Sequence, residues 1–305
     1  MLGQMSKIIL IFGTTASGKS EFAVNLAKKV KGEIINADSM QIYKEIKILN
    51  TRPGKNLTSK IKHHLYGFHN VKNSFSVGQW LKLIKKIIKN ILKKNKIPIV
   101  VGGTGLYFKA LTDGLVKIPK IPKKLRLNII NQQNKIGQIK FYKKLVKLDP
   151  KCKNYINSKD SQRSIRAFEV KKFTGISLFD WFKNTKSQYD KNQLIKIYLD
   201  FPREIILKRI EARCKKIINK YSIYEVEKFN KLKVGKSLSS NKIIGIYEIS
   251  DFLAKKYDLK HLREKISIKT RQYAKRQATW ARGHMSDWTR VSEVETKNYI
   301  KNFKY

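Results

Sequence analysis

Residues 13–20 read GTTASGKS, the phosphate-loop pattern with Gly13, Gly18, Lys19 and Ser20 in place. This motif constrains the fold because it works only between a buried strand and the start of a helix. Both contexts are present: residues 8–12 form a continuous apolar run, and helix-forming residues follow Ser20. The loop reads as a phosphate cradle built from Gly13, Thr14, Thr15, Ala16, Ser17, Gly18, Lys19 and Ser20. Its glycines let successive N–H groups point at phosphate oxygens, while Lys19 adds a point charge and the helix terminus a partial one. Ser20 is placed to offer its hydroxyl to a Mg²⁺ ion. The loop leaves open which phosphate ester it holds, which in most such proteins is a nucleoside triphosphate.

Further strands are expected at 33–36, 97–101 and 194–199, with an amphipathic helix at 80–94 before the third. Strands alternating with helices predict an α/β fold, a P-loop NTPase-like, doubly wound parallel sheet. Roughly 90 residues separate the third strand from the fourth, opening with KIPKIPKKLR and including a helical pattern at 163–173. That is too long for one crossover. The expected organisation is therefore a core from 1–120 and 190–305 with a helical insertion domain at 121–189. After the fourth strand the pattern is helical through Ala281, and DWTRV near the end looks extended.

A chain of 305 residues, 41% of them apolar, is long enough to bury such a core. It has no run of about 18 apolar residues, and MLGQMSKIILIFG passes straight into a strand pattern, so a soluble cytoplasmic protein without membrane contact is expected. Cys152 and Cys214 lack the paired spacing of a zinc site or disulfide framework. Lys and Arg number 67 against 22 acids, a net charge of +45 whose field draws polyanions. Codon usage favouring Lys would raise the charge whatever the function, so the placement of Arg is the more informative signal.

The third strand ends Val100, Val101, Gly102, with no acid where an ATPase carries its Walker B carboxylate, which counts against phosphoryl transfer. It runs instead into GGTGLY, where Gly102, Gly103 and Gly105 permit close backbone approach to a ligand and Thr104 offers a hydroxyl. The second strand ends in Asp38, Ser39, Met40 and Gln41, and the carboxyl ends of parallel strands face one crevice. Asp38 is thus expected near the phosphate loop, where it could bind Mg²⁺, hold a ribose hydroxyl, cap a helix or accept a proton. His63 and His64 lie in a loop-like stretch, and hydrogen bonding suits them better than metal binding.

In order along the chain, GTTASGKS, DSMQIYK with TRP at 51–53, HHL, FSVGQW, PIVVGGTGLYFKAL, QRSIRAFEV, RIEAR and TRQYAKRQATWAR together resemble the tRNA dimethylallyltransferases of bacterial type. The likeness runs nearly end to end. Three departures are Thr14 for the family's Pro, Met40 for its Arg or Ala, and Ile244, Gly245, Ile246 for its IGY, with Tyr247 and Glu248 following as substitutes for an RNA contact there.

The resemblance implies that the loop holds the diphosphate of dimethylallyl diphosphate and that the prenyl group passes to the N6 amine of the adenine 3′-adjacent to the anticodon. It implies Asp38 as general base, with Lys19, Ser20, Arg213 and Mg²⁺ assisting departure of diphosphate. Arg209 stands one helical turn from Arg213. The anticodon stem-loop is expected against Asp38, Ser39, Met40, Gln41, Thr104 and Arg126. Further contacts are expected from Gln162, Arg163, Ser164, Ile165 and Arg166, and from Arg271, Lys275, Arg276, Gln277, Trp280 and Arg282, with Tyr273 adding a ring. The enzyme is expected to be a monomer. Two rivals remain on sequence alone: a P-loop small-molecule or nucleotide kinase, and a non-catalytic RNA-binding protein with a vestigial loop.

Overall fold

In a computed structural model, described for residues 7–183 and 185–304, the chain begins with β1 (Ile8–Gly13), α1 (Lys19–Lys29) and β2 (Gly32–Asn36). There follow α2 (Lys55–Thr58), β3 (His63–His64), α3 (Val77–Leu92), β4 (Ile97–Gly102) and α4 (Gly105–Thr112). A helical stretch comes next, with α5 (Lys123–Ile136), α6 (Gln138–Leu148), α7 (Cys152–Tyr155), α8 (Ser161–Thr174) and α9 (Leu178–Lys183). The chain then returns through β5 (Leu194–Leu199), α10 (Arg203–Ile217), α11 (Lys220–Lys231), α12 (Ile246–Leu253), α13 (Leu259–His284), β6 (Thr289–Val291) and α14 (Thr296–Asn302).

The six strands form one parallel sheet in the order β3-β2-β4-β1-β5-β6. β1 lies between two parallel neighbours, and all six of its residues are buried, which is why its sequence is a continuous apolar run. From β1 the chain crosses to one side of the sheet to make β2, and after β4 it crosses to the other side to make β5. The crevice beyond the carboxyl ends of β1 and β4 is therefore the topological switch point where ligands of such sheets bind. Register brings the strand ends together there: Phe12 pairs with Gly102, Asn36 with Val101 and Gly13 with Leu199.

The four expected strands are all present. The sequence reading missed β3, whose two residues pair with Ile34 and Ile35 at the sheet edge, because two histidines in a row carry no strand signal. The extended DWTRV stretch supplies β6, which pairs with β5. His63 bonds the Ile61 carbonyl, while Nε2 of His64 lies 2.7 Å from the buried Glu33 carboxylate, so both are engaged in hydrogen bonding.

Local signals explain the helix boundaries. Ser76 accepts from the Gln79 N–H while Gln79 reaches back to the Ser76 N–H, a capping box that starts α3. Trp80, Leu81, Ile84, Ile88 and Ile91 form its buried face at helical spacing. Trp80 donates its indole N–H to the Asn36 carbonyl at 3.0 Å and stacks on Tyr107, tying α3 and α4 to the end of β2.

The chain divides into two compact units: Met1–Thr112 with Tyr189–Tyr305, and Asp113–Gln188. The first boundary falls at 113 rather than at the expected 121, because the Pro-punctuated segment belongs with the helical unit: Ile118 and Ile121 pack on its core. That core gathers Ile129, Phe141, Leu145, Phe168 and Val170, with the Phe141 and Phe168 rings 5.0 Å apart. Two apolar clusters stand out among the described residues of the sheet unit. One joins β1, β4 and β5 to α1 and α14, and the other joins residues 42–49 to α10, α11, α12 and α13.

Candidate active site

β1 delivers the phosphate loop to α1, and the loop's local bonding sorts its residues. The Ser17 N–H donates to the Thr14 carbonyl at 3.2 Å, and Lys19 Nζ donates to the same carbonyl at 3.1 Å. Ser17, expected on the diphosphate, is buried with its hydroxyl against Gly13 and without a hydrogen-bond partner among the described residues. Its side chain packs beneath the loop. Thr15 and Lys19 line a cavity of about 460 Å³, and Ser20 follows in the first turn of α1, partly exposed and outside the cavity lining.

The opposite wall of this cavity comes from the end of β2. Asp38 Oδ1 accepts the Met40 N–H at 2.9 Å, a local turn that leaves Oδ2 without a hydrogen-bond donor among the described residues. Asp38 caps no helix. Its N–H is held by the Asn36 side chain at 2.8 Å. Ser39, Met40 and Gln41 line the same cavity, with Gln41 donating to the Asn50 carbonyl at 3.0 Å.

Two cations face Asp38. Burial pushes the Lys19 ammonium down to about 8, the Asp38 charge opposes that fall and Arg213 adds to it. Arg213, from α10, is lowered by burial and partly restored by Asp38, and as a guanidinium it stays cationic. It donates to the Thr15 hydroxyl at 3.1 Å through Nη1 and to the Thr51 hydroxyl through Nη2. Arg209 stays outside the cavity lining: it pairs with Glu293 over the Phe201 ring, with Nη1 3.5 Å from where a Cβ on Gly18 would lie, so it is not a freely solvated cation.

The turn after β4 packs against α13. A Cβ on Gly103 would lie 2.2 Å from Gln277 Nε2, and one on Gly105 would lie 2.2 Å from the Trp280 ring. These two glycines therefore also let α13 approach closely, while Gly103, Thr104 and Gly105 all line the cavity. Thr104 likewise serves a tie within the protein: its hydroxyl accepts the Ser39 N–H at 2.9 Å and donates to Ser39 Oγ at 3.2 Å. Gln277, expected on RNA, is buried with its Oε1 accepting the Thr15 N–H at 2.8 Å and its Nε2 donating to the Gly103 carbonyl at 2.8 Å. Both ends of its amide are bonded inside the protein.

α13 presents two sides. Tyr273, Arg276, Gln277 and Trp280 line the first cavity, and the Trp280 ring stacks on His284 at 4.4 Å. Arg271, Lys275 and Arg282 line a second cavity of about 430 Å³ with Thr14, Asp200 and Arg203. The predicted cations of this helix therefore do not converge on one point. Near Gly245, Glu248 accepts the Gly245 N–H at 2.8 Å and pairs with Lys269, so it is a buried helix cap and not an RNA contact, whereas Tyr247 is exposed.

Within the helical unit, Arg126 and Arg166 both bond the buried Glu169 carboxylate, at 2.9 and 2.6 Å. Ser164 is buried, donating to the Asp160 carbonyl and accepting from Gln138, and Ile165 packs on the core. These two are framework residues, against expectation, because they sit on the inner face of α8. Gln162 and Arg163 are exposed on it. Sequence reading also missed Leu49, Asn50, Ile243 and Ile266 in the first cavity wall, since isolated aliphatic or amide residues in loops and helices carry no site signal.

A phosphate loop and a carboxylate across one cavity, with a half-buried arginine bonded to the loop, define a P-loop α/β protein in which a phosphate-ester donor and a proton-bearing acceptor can meet. Comparison with known proteins narrows that class. Residues 41–284 match the family described as IPP transferase. The chain is 54% identical over 303 residues to the tRNA dimethylallyltransferase of Pelagibacter ubique, covering 99% of this chain and 97% of that protein. It is 39% identical over 303 residues to that of Rickettsia massiliae, covering 99% and 83%. Among solved structures, the full-length tRNA isopentenylpyrophosphate transferase of Bacillus halodurans superposes with a TM-score of 0.69 at 29% identity over 97% of this chain and 95% of that one. A eukaryotic dimethylallyltransferase acting on tRNA superposes at 0.82 with 26% identity over 97% and 76%. The chain belongs to the IPP transferase family. Among the described residues, no helix is long and apolar enough to cross a membrane.

Proposed function

We propose that the chain transfers a dimethylallyl group from dimethylallyl diphosphate to the N6 amine of the adenine 3′-adjacent to the anticodon of tRNA. The observation that carries this reading is the single cavity shared by Lys19, Thr15, Arg213 and Asp38. All of these come from one chain, so the reading needs only a monomer.

The adenine amine is a weak nucleophile because its lone pair is conjugated with the ring. Asp38, with Oδ2 available, takes the N–H proton as nitrogen bonds to the prenyl carbon that carries the diphosphate. The carbon–oxygen bond breaks, and the electron pair leaves with the diphosphate. Lys19 and Arg213 meet the charge that grows on the leaving oxygens, inside a pocket where water competes less. Trp280 and Tyr273 offer rings to a base drawn out of the folded anticodon loop, and Arg276, 6.0 Å from the Tyr273 ring centroid, lies at the same wall.

The donor set suits Mg²⁺, which is commonly held by one or two protein oxygens plus substrate phosphates. Ser20, at the start of α1, is the hydroxyl that the motif would offer to the ion, and the ion would supply further neutralisation of the diphosphate. The test is incubation with labelled dimethylallyl diphosphate, Mg²⁺ and unmodified tRNA, beside a parallel arm with ATP. Label appearing in tRNA supports the reading, and ATP turnover without RNA dependence overturns it in favour of a kinase.

A further inference from the structure

Glu225, on α11, makes an unusual set of bonds to the segment before the cavity wall. Its Oε1 accepts the Lys47 N–H at 2.6 Å and the Ile48 N–H at 2.9 Å, and its Oε2 accepts the Leu49 N–H at 3.0 Å and the Ile48 N–H at 3.1 Å. Three successive N–H groups thus converge on one carboxylate, as they do on anions held in backbone nests. The helix that carries it is fixed, since Val226 and Phe229 lie in the same apolar cluster as Ile46 and Leu49.

From that clamp the chain leads directly to the chemistry. Leu49 lines the cavity, and Asn50 donates to the Ile46 and Met40 carbonyls at 2.5 and 3.0 Å. Thr51 follows with φ of 48°, a left-handed conformation that a β-branched residue adopts only when its surroundings impose it. The Thr51 hydroxyl accepts from Arg213 Nη2, while Nη1 of the same guanidinium holds Thr15 in the phosphate loop.

We propose that Glu225 is a positioning residue for Arg213: by gripping residues 47–49 it fixes Thr51, and Thr51 fixes the guanidinium against the diphosphate. The inference deepens the proposed prenyl transfer and rests on it. A carboxylate suits the task because it can accept from all three amides at once, whereas an amide side chain would turn its NH₂ toward one of them.

The experiment compares Glu225→Ala, Glu225→Gln, Thr51→Val and the pairwise combinations at both sites. Three readouts are needed: kcat and KM for dimethylallyl diphosphate, affinity for inorganic diphosphate, and affinity for tRNA. Glu225→Ala is expected to lower kcat about tenfold and weaken inorganic diphosphate by a similar factor, with tRNA affinity within about twofold of the parent, a split that points to transition-state loss. Glu225→Gln, which keeps one acceptor, falls less. Thr51→Val alone matches Glu225→Ala, and the double variant is no worse than either, since both act through one guanidinium.

Losses that multiply in the double variant overturn the inference, as does a Glu225→Ala enzyme that is merely less heat-stable with parental kcat and diphosphate affinity. If Glu225→Ala does not fold, the cycle of Glu225→Gln with Thr51→Val gives the same decision. If the parent protein transfers no prenyl group, the functional reading fails, and the inorganic diphosphate arm still decides whether Glu225 positions Arg213.

Discussion

The side-chain amide of Gln277 accepts the Thr15 N–H at 2.8 Å, a hydrogen bond that joins the phosphate loop to α13 across 262 residues of chain. The other end of the amide donates to the Gly103 carbonyl, so one buried side chain holds the β1 and β4 turns at a fixed spacing.

Replacing Gln277 by Leu leaves a buried N–H and a buried carbonyl without partners. The expected cost is about 1–3 kcal/mol of stability for each of the two groups, together with a raised KM for dimethylallyl diphosphate. Thermal unfolding and steady-state kinetics on the variant check this. Parental values of both would mean that water replaces the amide without loss.

Asp38 is the group whose removal should separate chemistry from binding. Asp38→Ala is expected to keep tRNA affinity while transfer falls by roughly 10² or more, in line with loss of a general base. Single-turnover transfer measured beside tRNA binding makes the comparison, and normal turnover in the variant would remove Asp38 from that role.

How far the site could be read from sequence depended on whether its signal was local. The phosphate loop, Asp38 and the strands that present them are written in contiguous residues: a buried apolar run, a glycine pattern and a carboxylate at a strand end. The roles of Gln277, Ser164 and Glu248 depend on which helix face turns inward, and nothing within a few residues of each sets that. Gln277 sits among Lys275, Arg276 and Arg282, so its neighbours suggested RNA, while its side chain bonds groups 174 and 262 residues away. Arg126 and Arg166 pointed to nucleic acid through the family resemblance, and only the fold shows that they share the Glu169 carboxylate.

That shared carboxylate separates two kinds of cation by their salt dependence. Arg271 and Lys275 are exposed on α13 without an acidic partner within ion-pairing distance among the described residues, so each is free to meet a phosphate. Replacing either by Ala should weaken tRNA binding and reduce the slope of log affinity against log salt by about one. Arg126→Ala should change the slope less, because Glu169 already offsets that charge. Titrations at several salt concentrations decide it, and equal slopes for all variants would place Arg271 and Lys275 off the RNA.

Lys19 links donor binding to pH, and the sign follows from its surroundings. In the free protein, burial pushes its ammonium down to about 8 from an ordinary 10.5. Cationic Lys19 is therefore disfavoured by the fold, and the unliganded protein should gain stability from this group as pH rises from about 8 toward 10.5. A bound diphosphate sets negative charge beside the ammonium and raises its pKa again. Below about 8 the group is already protonated and affinity for the donor does not depend on it. Above that, each binding event takes up a proton, and affinity declines by up to about tenfold per pH unit. Calorimetry with an unreactive thio analogue of dimethylallyl diphosphate, in buffers of different ionisation enthalpy, reads the uptake directly. The expected result is little uptake near neutrality, nearly one proton above pH of about 9, and neither in Lys19→Met. Buffer-independent heats in the alkaline range would show that Lys19 stays neutral beside the diphosphate and does not act as its counter-charge.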